Sequence, residues 1–120
     1  MFASKQLGRR GEQLAKVHLQ RRGYQIINQN YRTRQGEVDL ICLHQGIIHF
    51  VEVKTRSTKS YGWPEEAVNA AKLSKISLAA QAYLAEHNTT RPWQIDVLSI
   101  SINQQNHSGQ IKHFKNITLN

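Results

Sequence analysis

Acidic and basic side chains recur at two-residue steps in two neighbouring segments of this chain. Glu37 and Asp39 lie in Gly36-Glu37-Val38-Asp39-Leu40-Ile41, and Glu52 and Lys54 lie in Phe50-Val51-Glu52-Val53-Lys54-Thr55-Arg56. In extended chain a two-residue step puts side chains on one face. Two carboxylates held side by side repel unless a cation or a proton sits between them. Phosphodiester hydrolysis uses such a set. Mg²⁺, or Mn²⁺ in its place, is a hard ion that takes one or two carboxylates, several waters and a phosphate oxygen. Asp39 and Glu52 are the expected metal ligands, with the backbone carbonyl of Val53. Lys54 is expected to orient the attacking water or to stabilise the pentavalent phosphate. The plainer alternative is a salt-bridged strand end, Glu37 to Lys54, with Asp39 and Glu52 solvated. For one charged pair that alternative wins, but four such groups at opposed positions serve no structural need.

The opposition follows from a hairpin. Glu37 to His44 and Ile47 to Thr55 are strong β segments joined by Gln45-Gly46, a pair suited to a two-residue turn. In that register His44 pairs with Ile47, Asp39 lies opposite Glu52, and Glu37 lies opposite Lys54 as its partner behind the metal ligands. Apolar residues on both faces of the two strands predict interior strands covered by a helix on each side. Ser4 to Gly23 reads as the first helix, with Gly23 as its stop. Leu7, Gly11, Leu14, Ala15 and His18 form its apolar face. Gly8 and Gly11 weaken an isolated helix, so a close approach to the sheet or to a ligand is expected. Tyr24 to Tyr31 follows as a strand, Arg32 to Gly36 as a turn, and Arg56 to Trp63 as a polar loop. A second helix is expected to start at Pro64, with Glu65 and Glu66 at its positive end, and to run to about Glu86. Trp93 to Ser101 and Ile111 to Ile117 complete the strands. The order α-β-β-β-α-β-β predicts an α/β sandwich, a mixed central sheet flanked by helices. Glu12, roughly 115° from the centre of the first helix's apolar face by the helical period, could reach the site as a further catalytic carboxylate.

Charge supports a polyanionic partner. The chain carries sixteen Lys and Arg against eight Asp and Glu, a net charge of +8. Eleven of those bases precede residue 60, with only four of the acids: Glu12, Glu37, Asp39 and Glu52. An acidic spot thus sits within a basic half, which suits a phosphate backbone. Arg9, Arg10, Arg32, Arg34, Arg56 and Lys59 flank the segments leading to the site and are the candidate phosphate contacts. The 120 residues fit a single domain. No apolar stretch is long enough to span a bilayer, and the polar, basic start has no signal-peptide core. With the single cysteine, Cys42, this makes a cytoplasmic location the expectation.

The metal-site residues carry a resemblance. Val38-Asp39, twelve residues, then Glu52-Val53-Lys54 resembles the signature of the PD-(D/E)xK nuclease superfamily, with Val38 where proline usually stands. The two longer strings, the Gly11-Glu12 segment, Gly62-Trp63-Pro64-Glu65 and Ile95-Asp96-Val97 resemble the YraN-like family of small bacterial proteins across nearly the whole chain. That family is similar to archaeal Holliday-junction resolvases in fold and in the helix-one glutamate. The resemblance implies a restriction-endonuclease-like sandwich and a metal-dependent endonuclease acting on structured or branched DNA. The competing functions are a non-catalytic nucleic-acid-binding module and an accessory protein that retains the nuclease fold. One such domain offers a short footprint for a branched substrate, so a homodimer is a further expectation.

Other signals carry less. Cys42 falls opposite His49 on the other face of the hairpin, where burial predicts an inert thiol. The histidines show no zinc spacing. Asp96, inside an alternating strand, is expected to be a structural partner for a nearby base. In the polar loop, Tyr61 is a candidate base-stacking residue, and Trp63 is expected to pack on the second helix.

Overall fold

The computed structural model describes residues 4–57, 69–103, 105 and 108–117. The elements run α1 (Ser4–Arg21), β1 (Gln25–Arg32), β2 (Glu37–His44), β3 (Ile47–Ser57), α2 (Ala70–Glu86), β4 (Trp93–Ile102) and β5 (Gly109–Phe114). The strands form one sheet in the order β1-β2-β3-β4-β5. Neighbours are antiparallel except β3 and β4, which are parallel because α2 carries the chain back between them. The result is the mixed α/β architecture expected of a nuclease-like sandwich.

Each helix seals one face. Ala15 and Leu19 of α1 pack with Leu40, Cys42, Val51, Leu98 and Ile100. Leu73, Ile76, Ala80 and Tyr83 of α2 pack with Ile41, Ile48, Phe50 and Ile95 on the other side. Both central strands are therefore apolar on both faces. Helix α1 ends as its sequence predicts: Gly23 is left-handed at φ 87°, and Tyr24 N–H bonds back to the Leu19 carbonyl at 3.0 Å. The β2–β3 turn has both central residues left-handed, Gln45 at φ 51° and Gly46 at φ 80°. That is the geometry of a two-residue turn matched to strand twist. Helix α2 starts later than Pro64. Its cap is Asn69, whose side chain accepts the Lys72 N–H at 2.9 Å. Tyr61, Trp63, Pro64, Glu65 and Glu66 lie outside the described residues. No described helix is long and apolar enough to cross a membrane.

Gly11 explains how α1 reaches the sheet. A Cβ there would overlap the Thr55 side chain on β3, whereas a Cβ on Gly8 would meet nothing. On helix propensity alone Gly11→Ala would gain about 1 kcal/mol. Against the short, branched Thr55 side chain we expect instead a loss of about 1–3 kcal/mol from overpacking. Denaturant melts of the variant decide the sign, and a stabilised protein would contradict the close approach.

Candidate metal and phosphate site

The hairpin register holds from His44↔Ile47 to Leu40↔Val51 and stops there. Val38 packs on the α2 face and Leu40 on the α1 face. A regular strand would put residues two apart on one face, so β2 turns at Asp39. There the N–H of Val53, inside β3 but past the end of its ladder with β2, donates to Asp39 Oδ2 at 2.8 Å. Asp39 and Glu52 still meet as the sequence predicts, their carboxyl groups close enough for each to act on the other's proton affinity. Burial first, then the neighbouring Glu52, pushes Asp39 up to about 8, so this pair holds a proton at neutral pH. Burial works to raise Glu52 too, but Asp39 and Lys72 outweigh it and hold Glu52 below its ordinary value.

Glu52 is 3 % exposed and carries two cations on one oxygen. Lys72 Nζ lies 2.9 Å from Oε2 and Lys54 Nζ 3.6 Å from it, both within ion-pairing reach but without hydrogen-bond alignment. Lys72 joins the candidate site without any mark in the sequence. It stands on α2 just before the buried Leu73, and nothing local to it signals a partner twenty residues upstream.

Glu37 is the correction. The register expectation paired it with Lys54, but the turn at Asp39 sends it to β1 instead. There it opposes Arg32 and binds its Nε at 3.3 Å, both side chains being exposed. Glu12 reaches the site's edge. It lines a cleft of about 420 Å³ with Leu7, Gly8, Asp39, Lys54 and Thr55, and its Oε1 accepts from Asn30 Nδ2 at 3.1 Å. Val53 lines the same cleft. Among the described residues no three His, Cys, Asp or Glu side chains converge as a metal-binding set. A cation here would rest on two carboxylates and the backbone.

The candidate phosphate contacts divide. Arg32 and Arg34 line a cleft against α2. Arg10 lies elsewhere, beside Leu14, Ile100 and Ile111. Arg9 is exposed on α1, and Arg56 stands on β3 opposite Ser101. Lys59 lies outside the described residues.

Asp96 is fully buried and is the structural anchor expected of it. It accepts from His49 Nδ1 at 2.7 Å, His113 Nε2 at 2.8 Å, Gln94 Nε2 at 2.8 Å and Asn116 N–H at 2.9 Å. The ring nitrogen roles depend on the tautomer. Cys42 does pair with His49 across the hairpin, and burial, helped by Asp96, pushes its thiol up to about 12. It is no nucleophile at neutral pH.

The fold and the carboxylate pair define an α/β sandwich with a paired-acid site at one end of its central hairpin. Residues 11–100 match the model of the Uncharacterised protein family UPF0102, and the chain belongs to that family, the YraN-like family its motifs resemble. It is 44% identical over 101 residues to a UPF0102 protein of Clavibacter michiganensis, covering 83% of this chain and 86% of that one. It is 43% identical over 109 residues to one of Syntrophotalea carbinolica, covering 90% and 87%. A third, of Natranaerobius thermophilus, is 43% identical over 115 residues, covering 93% and 96%.

Proposed function

We infer that this chain is a metal-dependent endonuclease that hydrolyses phosphodiester bonds in structured or branched DNA, with Mg²⁺ or Mn²⁺ held by Asp39 and Glu52. The observation that carries this reading is the buried contact of those two carboxyls beside Lys54 at a cleft of about 420 Å³. Burying two acids together is unfavourable unless something positive or a proton joins them. The donor set fits a hard divalent ion, which favours one or two carboxylates and tolerates several waters. Val53 could add its carbonyl. When bound, such an ion would acidify a water and offset charge in the transition state.

The chain's own groups supply the rest. Asp39 is fixed by the Val53 N–H, so its carboxyl is presented without a search over rotamers. Lys54, half-buried beside Glu52, can stabilise the developing charge on phosphorus or orient the water. Glu12 faces the same cleft from α1, near enough for its charge to act on Asp39. Arg32 and Arg34 would contact the backbone without reading its sequence. A second copy of the chain would extend the footprint to both arms of a branch.

One observation favours a second reading, a non-catalytic nucleic-acid-binding module: Lys72 already neutralises Glu52. Labelled junction, flap, single-stranded and duplex DNAs incubated with Mg²⁺, Mn²⁺ or EDTA separate the two. Cutting that requires the metal is expected. Salt-sensitive binding with no cutting of any substrate would overturn the nuclease reading in favour of the module.

A further inference from the structure

A second cleft, of about 410 Å³, opens on the α2 side of the same hairpin end. Arg32, Arg34, Lys72 and Lys75 line it against one acid, Glu37, and Arg32 pairs with that acid. Among the described residues Arg34 and Lys75 make no ion pair. Their backbones are nevertheless fixed against each other. Thr33 N–H bonds to the Gly36 carbonyl at 2.8 Å, and Thr33 Oγ1 accepts from the N–H groups of Gln35 at 3.2 Å and Gly36 at 3.1 Å. That turn is pressed so closely on α2 that a Cβ on Gly36 would overlap the Lys75 carbonyl.

One lysine from each cleft pairs with the same buried carboxylate. Lys54 lines the α1-side cleft and Lys72 the α2-side cleft, and both ammonium groups lie within 3.6 Å of Glu52 Oε2. Their chemistries differ. The α1-side cleft sets Glu12 and Asp39 against Lys54, whereas the α2-side cleft is cationic and suits phosphate alone. We propose that the α2-side cleft is a second phosphate-binding site, which takes the single-stranded arm of the nucleic acid cut in the α1-side cleft. The clefts lie on opposite faces of the sheet, so a strand that enters both must fold over the sheet's end, which a straight duplex does not do. This rests on the nuclease reading above and adds the substrate's form: a duplex with an unpaired arm beside the cut.

The test is fluorescence anisotropy with Ca²⁺ in place of Mg²⁺, using blunt duplex DNA and the same duplex carrying a single-stranded arm. Arg34→Glu with Lys75→Glu is compared with Arg91→Glu with Lys115→Glu, which changes net charge equally; all four residues are exposed. The first double variant is expected to lose about tenfold in affinity for the armed duplex beyond any loss for the blunt one. Its salt slope should fall by about 1.4, at about 0.7 for each single-strand phosphate contact. The second should keep the preference for the arm. Equal losses on both DNAs, or equal losses in both variants, would overturn the proposal while leaving cleavage by the wild type intact. Inorganic phosphate that displaces the arm as effectively as a competing oligonucleotide at equal phosphate concentration would reassign the cleft to free phosphate. A wild type that neither binds nor cuts any of these DNAs would remove the nuclease reading as well.

Discussion

Glu52→Gln is expected to slow metal-dependent cleavage by about 10²–10³-fold, the scale of losing one group that stabilises the transition state, while DNA affinity stays equal or tightens. Glutamine keeps the shape of the side chain and removes its charge. A divalent ion then has one carboxylate fewer, and Asp39 loses the neighbour that helps keep it protonated. Lys54 and Lys72 lose their common partner and become more available to phosphate, so binding does not fall with the rate. Single-turnover rates and anisotropy on the same DNA separate the two effects. Cleavage at the wild-type rate in Glu52→Gln would exclude this carboxylate from the chemistry. Parallel loss of rate and affinity would point instead to a damaged fold.

Asp96→Ala is expected to destabilise the protein by about 3–5 kcal/mol, as breaking a buried, hydrogen-bonded charge network does. The carboxylate is fully buried and receives four hydrogen bonds. Its removal leaves His49 and His113 without their acceptor in the layer under α1. His49 is itself 4 % exposed, and its other ring nitrogen has no partner among the described residues, so it has little means of compensation. Burial opposes the charge on Asp96, yet the bonds from His113 and His49 overcome it and hold the group well below the usual carboxylate range. The stability it contributes is therefore present above its unfolded pKa and is lost as pH falls through the lower folded value. Urea melts at neutral pH give the magnitude. A loss under about 0.5 kcal/mol, the range of an ordinary surface change, would show that the network is not structural.

These two sites differ in how far the sequence discloses them. The Asp39–Glu52 contact could be foreseen because a two-residue turn fixes an antiparallel register, and the register carries every later pair with it. The same register sets Glu37 opposite Lys54. That pair does not form because β2 turns at Asp39, whose side chain takes the Val53 N–H of β3, and alternation of residue types does not signal that event. Gly11 was legible as a close approach because a glycine inside a helix needs a reason; its neighbour Gly8 gave the same signal and meets only open space. Lys72 was not legible. Its contact with Glu52 depends on where the crossover sets α2 down on the sheet, a tertiary choice without a local pattern. Pro64 is a strong local signal for a helix start, whereas Asn69, the cap of α2, works through one side-chain bond to Lys72 N–H. His113 had no ligand spacing to mark it, since its partner Asp96 lies on the neighbouring strand.

Calorimetric titration of Mn²⁺ into the protein at pH 7, in buffers of different ionisation enthalpy, shows whether Asp39 and Glu52 form a divalent-cation site. Asp39 is held protonated up to about 8, so binding there must expel that proton, and affinity must rise with pH until about that value. Binding is expected to release about one proton and to be abolished in Asp39→Asn. No binding, or binding of equal strength without proton release in both proteins, would contradict it.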